Sequence, residues 1–405
     1  MRSRTAWMLL CTLIFTESPS ALPADGRAAP HAPQHRVVAY LASWSVPPVI
    51  HAERLTHINV AFAHIDKSGK AVFEQPAAGQ TLAQLQALKK ANPRLKLIIS
   101  VGGWQAEGFS DAALTDSSRR TFALSVVKLL HDYAADGVDL DWEYPGQGVA
   151  GIKYRGEDKH NFTLLLKTLR EQLDRAAQVR AAQVGAAQVR AARVGAAQVA
   201  DGTAQARSGG GRYTLTIAAA DREYFAHTEM DRLHIYLDWI NLMSYDFFNS
   251  LTPTTGHHAG LYAGEHAAPT DRDADKAVKQ YLAAGVPPGK IVLGVAFYGR
   301  GFAGVTPINN GVNQPYERFE GEHSYAELAG KFVGQQGFIR YWDARAQAPY
   351  LWNSATRTFI TYDDPQSIEI KTRYVLEHRL GGIMFWELSQ DRDTELLDVI
   401  TRSLQ

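Results

Sequence analysis

Asp136-Gly137-Val138-Asp139-Leu140-Asp141-Trp142-Glu143-Tyr144-Pro145 is the stretch that decides how this chain is built. Successive side chains of a β-strand point to opposite faces. Asp139, Asp141 and Glu143 therefore share one face, and Val138, Leu140 and Trp142 share the other. The apolar face suits burial under helices. The acidic face is then the interior of a closed barrel, where three carboxylates spaced about 7 Å apart are expensive to hold. Lost hydration and mutual repulsion raise at least one of their pKa values. Glu143 comes last, at the C-terminal end of the strand, where parallel barrels carry their active sites.

Outward from this strand, eight short apolar runs read as strands: Val37–Leu41, His57–Ala63, Leu97–Val101, Gly137–Trp142, Tyr213–Ala218, Ile240–Met243, Ile291–Ala296 and Gly382–Trp386. Most are continuously apolar, as strands covered on both faces are. Helical patterns lie between several of them: Leu82–Ala91, Arg119–Ala135, Asn161–Leu173, Asp273–Ala284 and Ser367–Arg379. This alternation predicts an α/β chain, a (β/α)8 TIM barrel. An open doubly wound sheet is disfavoured, because the first strand is not followed by a glycine-rich phosphate turn.

Two stretches interrupt the alternation. Residues 302–362, rich in aromatic and turn residues, are too many for a bare loop and predict a small α+β insertion between strands seven and eight. Ala176 to Ala200 repeats a pentapeptide: AAQVR, AAQVG, AAQVR, AARVG, AAQVA. Valines five apart advance about 140° around a helix and build no apolar stripe. Residues 176–211 are thus expected to form a low-complexity surface insertion, a loop or a continuation of the preceding helix, without a catalytic role. The expected barrel segments are 36–301 and 363–405.

At the start, Arg2 and Arg4 precede an apolar run, Ala6 to Phe15, too short to span a bilayer. Small and proline residues follow. Residues 1–24 read as a secretory signal peptide, which places the mature protein outside the cell or in a periplasm. The single cysteine, Cys11, lies within that run, so thiol catalysis and disulfides are excluded from the mature chain. Forty-two basic residues balance 42 acidic ones. That balance offers nothing to attract nucleic acid or an anionic membrane, and a neutral polymer suits it better.

The acidic ladder has rival readings. It could be a solvated edge or an ion network, but neighbouring strands supply no matching basic residues. It could bind Mg²⁺ or Ca²⁺, but the flanking Trp142 and Tyr144 and the lack of a phosphate loop weigh against that. His257-His258 has no carboxylate at ligand spacing, so no metal and no cofactor are expected. A carboxylic acid kept protonated near neutral pH is what cleavage of a glycosidic bond asks of its general acid.

DGVDLDWE (Asp136–Glu143) resembles the DxxDxDxE signature of glycoside hydrolase family 18, the chitinase family. Ser100-Val101-Gly102-Gly103-Trp104 is similar to its SxGG motif. Met243-Ser244-Tyr245-Asp246 is similar to its MxYD motif, with Ser where Thr is common. Phe297-Tyr298-Gly299-Arg300 and Gly381–Glu387 fall at the ends of strands seven and eight, and the similarity runs from about Val37 to the C-terminus. The resemblance implies substrate-assisted, retaining hydrolysis of chitin or chitooligosaccharides. In that scheme Glu143 is the general acid and base, and Asp141 stabilises the oxazolinium intermediate. Asp139 tunes Asp141, and Tyr245 holds the acetamido oxygen. Trp386 forms the floor under the distorted sugar and Trp104 stacks on the leaving-group side. Asp246, Tyr144, Met243, Tyr40, Phe62, Ala218, Arg300 and Gly103 line the sugar site, while Asp136, Ser100 and Gly102 belong to the structural motif. For Phe62, Met243 and Ala218, core packing is an equal alternative.

Two other functions compete. One is a chitooligosaccharide-binding lectin on the same barrel, although such proteins lose the terminal glutamate that is intact here. The other is a hydrolase of a different N-acetylglucosamine glycan such as peptidoglycan. A monomer is expected.

Overall fold

The computed structural model describes residues 35–73, 76–193 and 211–405. The expected signal peptide, Cys11 and the end of the pentapeptide repeat lie outside the described residues. The strands are β1 (Arg36–Ala42), β2 (His57–Ile65), the two-residue β3 (Ala71–Val72), β4 (Lys96–Gly102), β5 (Gly137–Asp141), β6 (Thr214–Ala219), β7 (Trp239–Leu242) and β8 (Ile291–Ala296). Then follow β9 (Tyr298–Ala303), β10 (Arg318–Ser324), β11 (Ile339–Asp343), β12 (Ala348–Asn353), β13 (Thr358–Tyr362) and β14 (Gly382–Trp386).

Eight of these pair in parallel in the order β1-β2-β4-β5-β6-β7-β8-β14, and β14 pairs back onto β1, closing the barrel. Each of the eight expected strands is present. The period-two rule sorts their side chains into two separate apolar clusters. Val37, Ala39, Leu41, Val138, Leu140 and Trp142 pack outward under the helices. Val38, Tyr40, Trp239, Tyr245, Val292 and Met384 fill the interior.

The helices begin where the sequence can cap them. Thr115 and Ser118 form a reciprocal cap on Asp116–Asp132, Asp273 caps Ala274–Ala283, and Asp364 with Ser367 caps Pro365–Glu377. The helix Asp158–Arg193 runs 36 residues. Phe162, Leu165, Leu166, Leu169 and Leu173 bury one face, and beyond them the chain has no buried apolar residue up to Val184. The first part of the pentapeptide repeat is therefore helix, carried on from a well-packed stem.

Between β8 and β14 a second, antiparallel sheet forms in the order β10-β9-β13-β12-β11. It has its own small core of Phe302, Val305, Val312, Tyr350, Trp352 and Phe359. Its first strand, β9, begins two residues after β8 ends, so this sheet rises from the barrel's C-terminal rim. Among the described residues no helix is long and apolar enough to cross a membrane.

Candidate active site

Asp139 is the centre of the barrel's polar layer. The parallel register sets Ser100 of β4 and Thr216 of β6 directly beside it. Its Oδ2 accepts from the Tyr40 hydroxyl at 2.7 Å and from Ser100 Oγ at 2.8 Å. Its Oδ1 accepts from Thr216 Oγ1 at 2.6 Å and Asn241 Nδ2 at 3.1 Å. The Trp239 indole orients that amide by donating to Asn241 Oδ1 at 2.9 Å. Burial pushes the Asp139 carboxyl up, and the four donors pull against it. With every lone-pair direction taken, the ionised form fits this cradle best.

Asp141, the next rung, is also buried, but its Oδ1 has no hydrogen-bond partner among the described residues. Burial, then the charges of Glu143 and Asp139, raise it well above the usual carboxylate range. Glu143, part-buried at the mouth, is pushed up to about 7 by burial. A hydrogen bond from Tyr144 opposes that rise and the charge of Asp246 adds to it.

The strand end is held from outside by Trp142, stacked on Phe109 at 5.3 Å and edge-on to Phe162 at 5.3 Å. It is held from the side by β4. Gly102 has φ of +123°, and a Cβ there would lie 2.0 Å from the Asp141 carbonyl oxygen. Gly103 N donates to that same oxygen at 2.9 Å. Only glycine lets the two backbones approach so closely.

The opposite wall comes from β7 and β9. Arg300 grips Asp246 with two parallel bonds, Nε to Oδ1 at 2.8 Å and Nη2 to Oδ2 at 2.7 Å, and reaches Glu322 at 3.2 Å. Burial alone would raise the Asp246 carboxyl. His258, with Nδ1 at 3.6 Å, and the Arg300 guanidinium outweigh it and hold the group well below the carboxylate range. Tyr245 is buried, and burial followed by the charges of Asp141 and Asp246 keeps its phenol protonated, a donor only 3.7 Å from Met384 Sδ.

Aromatic rings line the mouth. Trp386 stacks on Phe62 at 5.7 Å and leans on Tyr40 at 5.8 Å. Met243, part-buried, packs against the interior cluster, as Phe62 and Trp386 do. Trp104, 50% exposed, meets the edge of Tyr144 at 6.3 Å. Ala218 is buried and its carbonyl accepts from Tyr224. Asp136 is not part of this group. It precedes β5 at the other end of the strand, where it accepts from Lys89 Nζ at 2.5 Å and Leu97 N at 2.8 Å.

Three site residues went unread in the sequence. Thr216 and Asn241 are isolated polar residues within apolar strands, a signal that marks an interior partner only once the register is known. Trp44, 68% exposed, lies two residues past β1 and leans toward Phe62 at 6.3 Å. It follows its strand as Trp104 follows β4. Among the described residues no group of three or more His, Cys, Asp or Glu side chains could hold a metal ion. His257 instead pairs with Asp343 at 3.0 Å.

A closed parallel barrel with three acids climbing one strand to an aromatic mouth defines a barrel hydrolase. The chain belongs to glycosyl hydrolases family 18, whose model matches residues 36–391. Chitinase A1 of Niallia circulans is 39% identical over 348 residues, covering 82% of this chain and 46% of that protein. The chain thus spans a little under half of that relative. Chitinase B of Serratia marcescens is 31% identical over 417 residues, covering 87% and 76%. Among solved structures, a family 18 N-acetylglucosaminidase from Paenibacillus barengoltzii superposes with a TM-score of 0.79 at 39% identity, covering 91% of this chain and 99% of that one.

Proposed function

We propose that this protein is a secreted chitinase that cleaves β-1,4 linkages between N-acetylglucosamine units with retention of anomeric configuration. The observation that carries the reading is the division of labour along β5. Asp139 lies in a four-donor cradle that favours its ionised form, burial and the charges beside Asp141 favour its protonated form, and burial pushes Glu143 at the mouth up to about 7. Relatives named as chitinases and as an N-acetylglucosaminidase agree on the sugar. The N-terminal segment supports secretion.

Glu143 protonates the leaving glycosidic oxygen while the substrate's acetamido oxygen attacks the anomeric carbon. The C–O bond to the leaving sugar breaks and a cyclic oxazolinium ion forms. Positive charge then grows on the acetamido nitrogen, beside Asp141. Asp141 meets it by ionising, its proton passing toward Asp139 as one of the hydroxyl donors there rotates away. Tyr245, protonated throughout, orients the acetamido oxygen, so the attacking group is positioned before reaction. Glu143, now a carboxylate, takes a proton from water to open the ring. Trp386 and Trp104 supply the stacking faces.

Glu143→Gln tests this reading. Turnover of chitooligosaccharides should fall at least about a thousandfold while binding persists. Turnover close to wild type would place the donor elsewhere. The wild-type protein should release products first in the β configuration, seen by proton NMR.

A further inference from the structure

His258 lies on the loop after β7, fully buried, and its backbone is fixed on both sides. Its N donates to Thr361 Oγ1 of β13 at 3.0 Å, and its carbonyl accepts from Phe247 N, next to Asp246, at 3.0 Å. The ring packs on Tyr298 at 5.2 Å. Neither ring nitrogen makes a hydrogen bond among the described residues, yet Nδ1 stands 3.6 Å from Asp246 Oδ1. A buried imidazole without any partner is costly, and a closing shift of about half an ångström gives Nδ1–H a charge-assisted bond.

We propose that His258 is a positioning residue for the cleavage step: its uncharged ring donates through Nδ1–H to Asp246 and, with Arg300, fixes that carboxylate in the site wall. This rests on the reading of Glu143 as proton donor, because Asp246 is the charge that faces Glu143 from across the site. Arg300 grips both oxygens of Asp246 and the fully buried His258 stands at Oδ1, so a second donor holds the carboxylate in place when a sugar enters. The groups facing His258 are Asp246, Arg300 and Tyr298, and Asp363 from the end of β13, which is itself neutralised by Lys371 at 2.6 Å. Burial pushes the imidazole down, with Asp246 pulling it up. The ring therefore serves as a neutral donor with Nε2 unprotonated.

The test compares His258→Leu with His258→Asn, whose amide can donate from roughly the place of Nδ1. In His258→Leu, kcat should drop about tenfold with KM within about twofold, because a charge-assisted bond is lost while the sugar contacts stay. The acid limb of the kcat/KM profile should move to higher pH, since Asp246 then protonates sooner. His258→Asn should recover both. Unchanged kcat and pH profile in the leucine variant would overturn the proposal. So would failure of the asparagine variant to recover when both melt like wild type. If the leucine variant does not fold, ¹⁵N-histidine spectra of the wild-type protein decide: Nδ1-protonated, neutral His258 between about pH 5 and 8 is expected, and the opposite tautomer overturns it. That readout needs no turnover, so it stands apart from the Glu143→Gln result.

Discussion

Glu143 must be protonated to give up its proton, which fixes two pH dependences. In activity, kcat/KM should fall about tenfold per unit once pH passes the value near 7 to which burial pushes the group. In stability, the sign follows from the raised value. The folded protein holds this proton more tightly than the unfolded chain, whose glutamate titrates at 4.5. The contribution is complete below the unfolded value and is lost as pH rises through about 7. Glu143→Gln has no such loss. Its melting temperature should gain on that of the wild type by a margin that widens as pH rises from about 4.5 to about 7 and levels off above that. A constant margin would mean the carboxyl is not perturbed. Asp139 carries the opposite demand. An asparagine there presents an NH2 group to a cradle of donors, and the mismatch should cost about 2–4 kcal/mol and lower kcat at least about a hundredfold. Thermal melts of Asp139→Asn check the first figure, and an unchanged melt would mean that Asp139 is protonated in the fold.

The close fit of β4 against β5 makes Gly102 the most constrained backbone position in the site. An alanine there needs a positive φ and places Cβ 2.0 Å from the Asp141 carbonyl, so β5 must shift with its carboxylates. Gly102→Ala should destabilise the barrel by at least about 3 kcal/mol in urea unfolding and abolish turnover. The long helix behaves differently. Its apolar face ends at Leu173, and Arg180 donates to the Gly211 carbonyl at 2.8 Å, so the two ends of the repeat region lie close together. Replacing residues 182–209 with a short glycine-serine turn should leave kcat/KM within about twofold, since such a turn spans the short gap between Arg180 and Gly211 without disturbing either. Why the strands were legible and parts of the site were not has one physical root. Apolar runs such as Ile291–Ala296 advertise burial on both faces, and the alternation in Asp136–Glu143 advertises a polar interior. The cradle of Asp139, however, is assembled by register, from Tyr40, Ser100, Thr216 and Asn241 on four other strands. No local pattern encodes register in a parallel barrel, so Thr216 and Asn241 had no signature beyond being polar. The same holds for the Asp246–Arg300 grip, which joins two segments that the sequence had offered only as separate sugar contacts.

At the scale of the whole molecule, 42 positive and 42 negative side chains cancel. A neutral polymer has no field to follow and the protein offers little net field to steer it. Encounter should then be purely diffusional. Salt shortens the screening length from about 30 Å at 0.01 M to about 3 Å at 1 M without altering the approach. The strongest local charges, Asp139 and the Asp246–Arg300 pair, are screened by protein rather than by ions. For a neutral chitooligosaccharide, kcat/KM should therefore change less than about twofold across that salt range. A fully deacetylated chain is the informative contrast. It carries ammonium groups that the carboxylate ladder attracts, yet it lacks the acetamido oxygen that the proposed reaction uses as its nucleophile. It should inhibit competitively and remain uncut. Efficient cleavage of that chain would require a carboxylate of the protein to attack the anomeric carbon, and Asp246, released from Arg300, would be the side chain placed to do it.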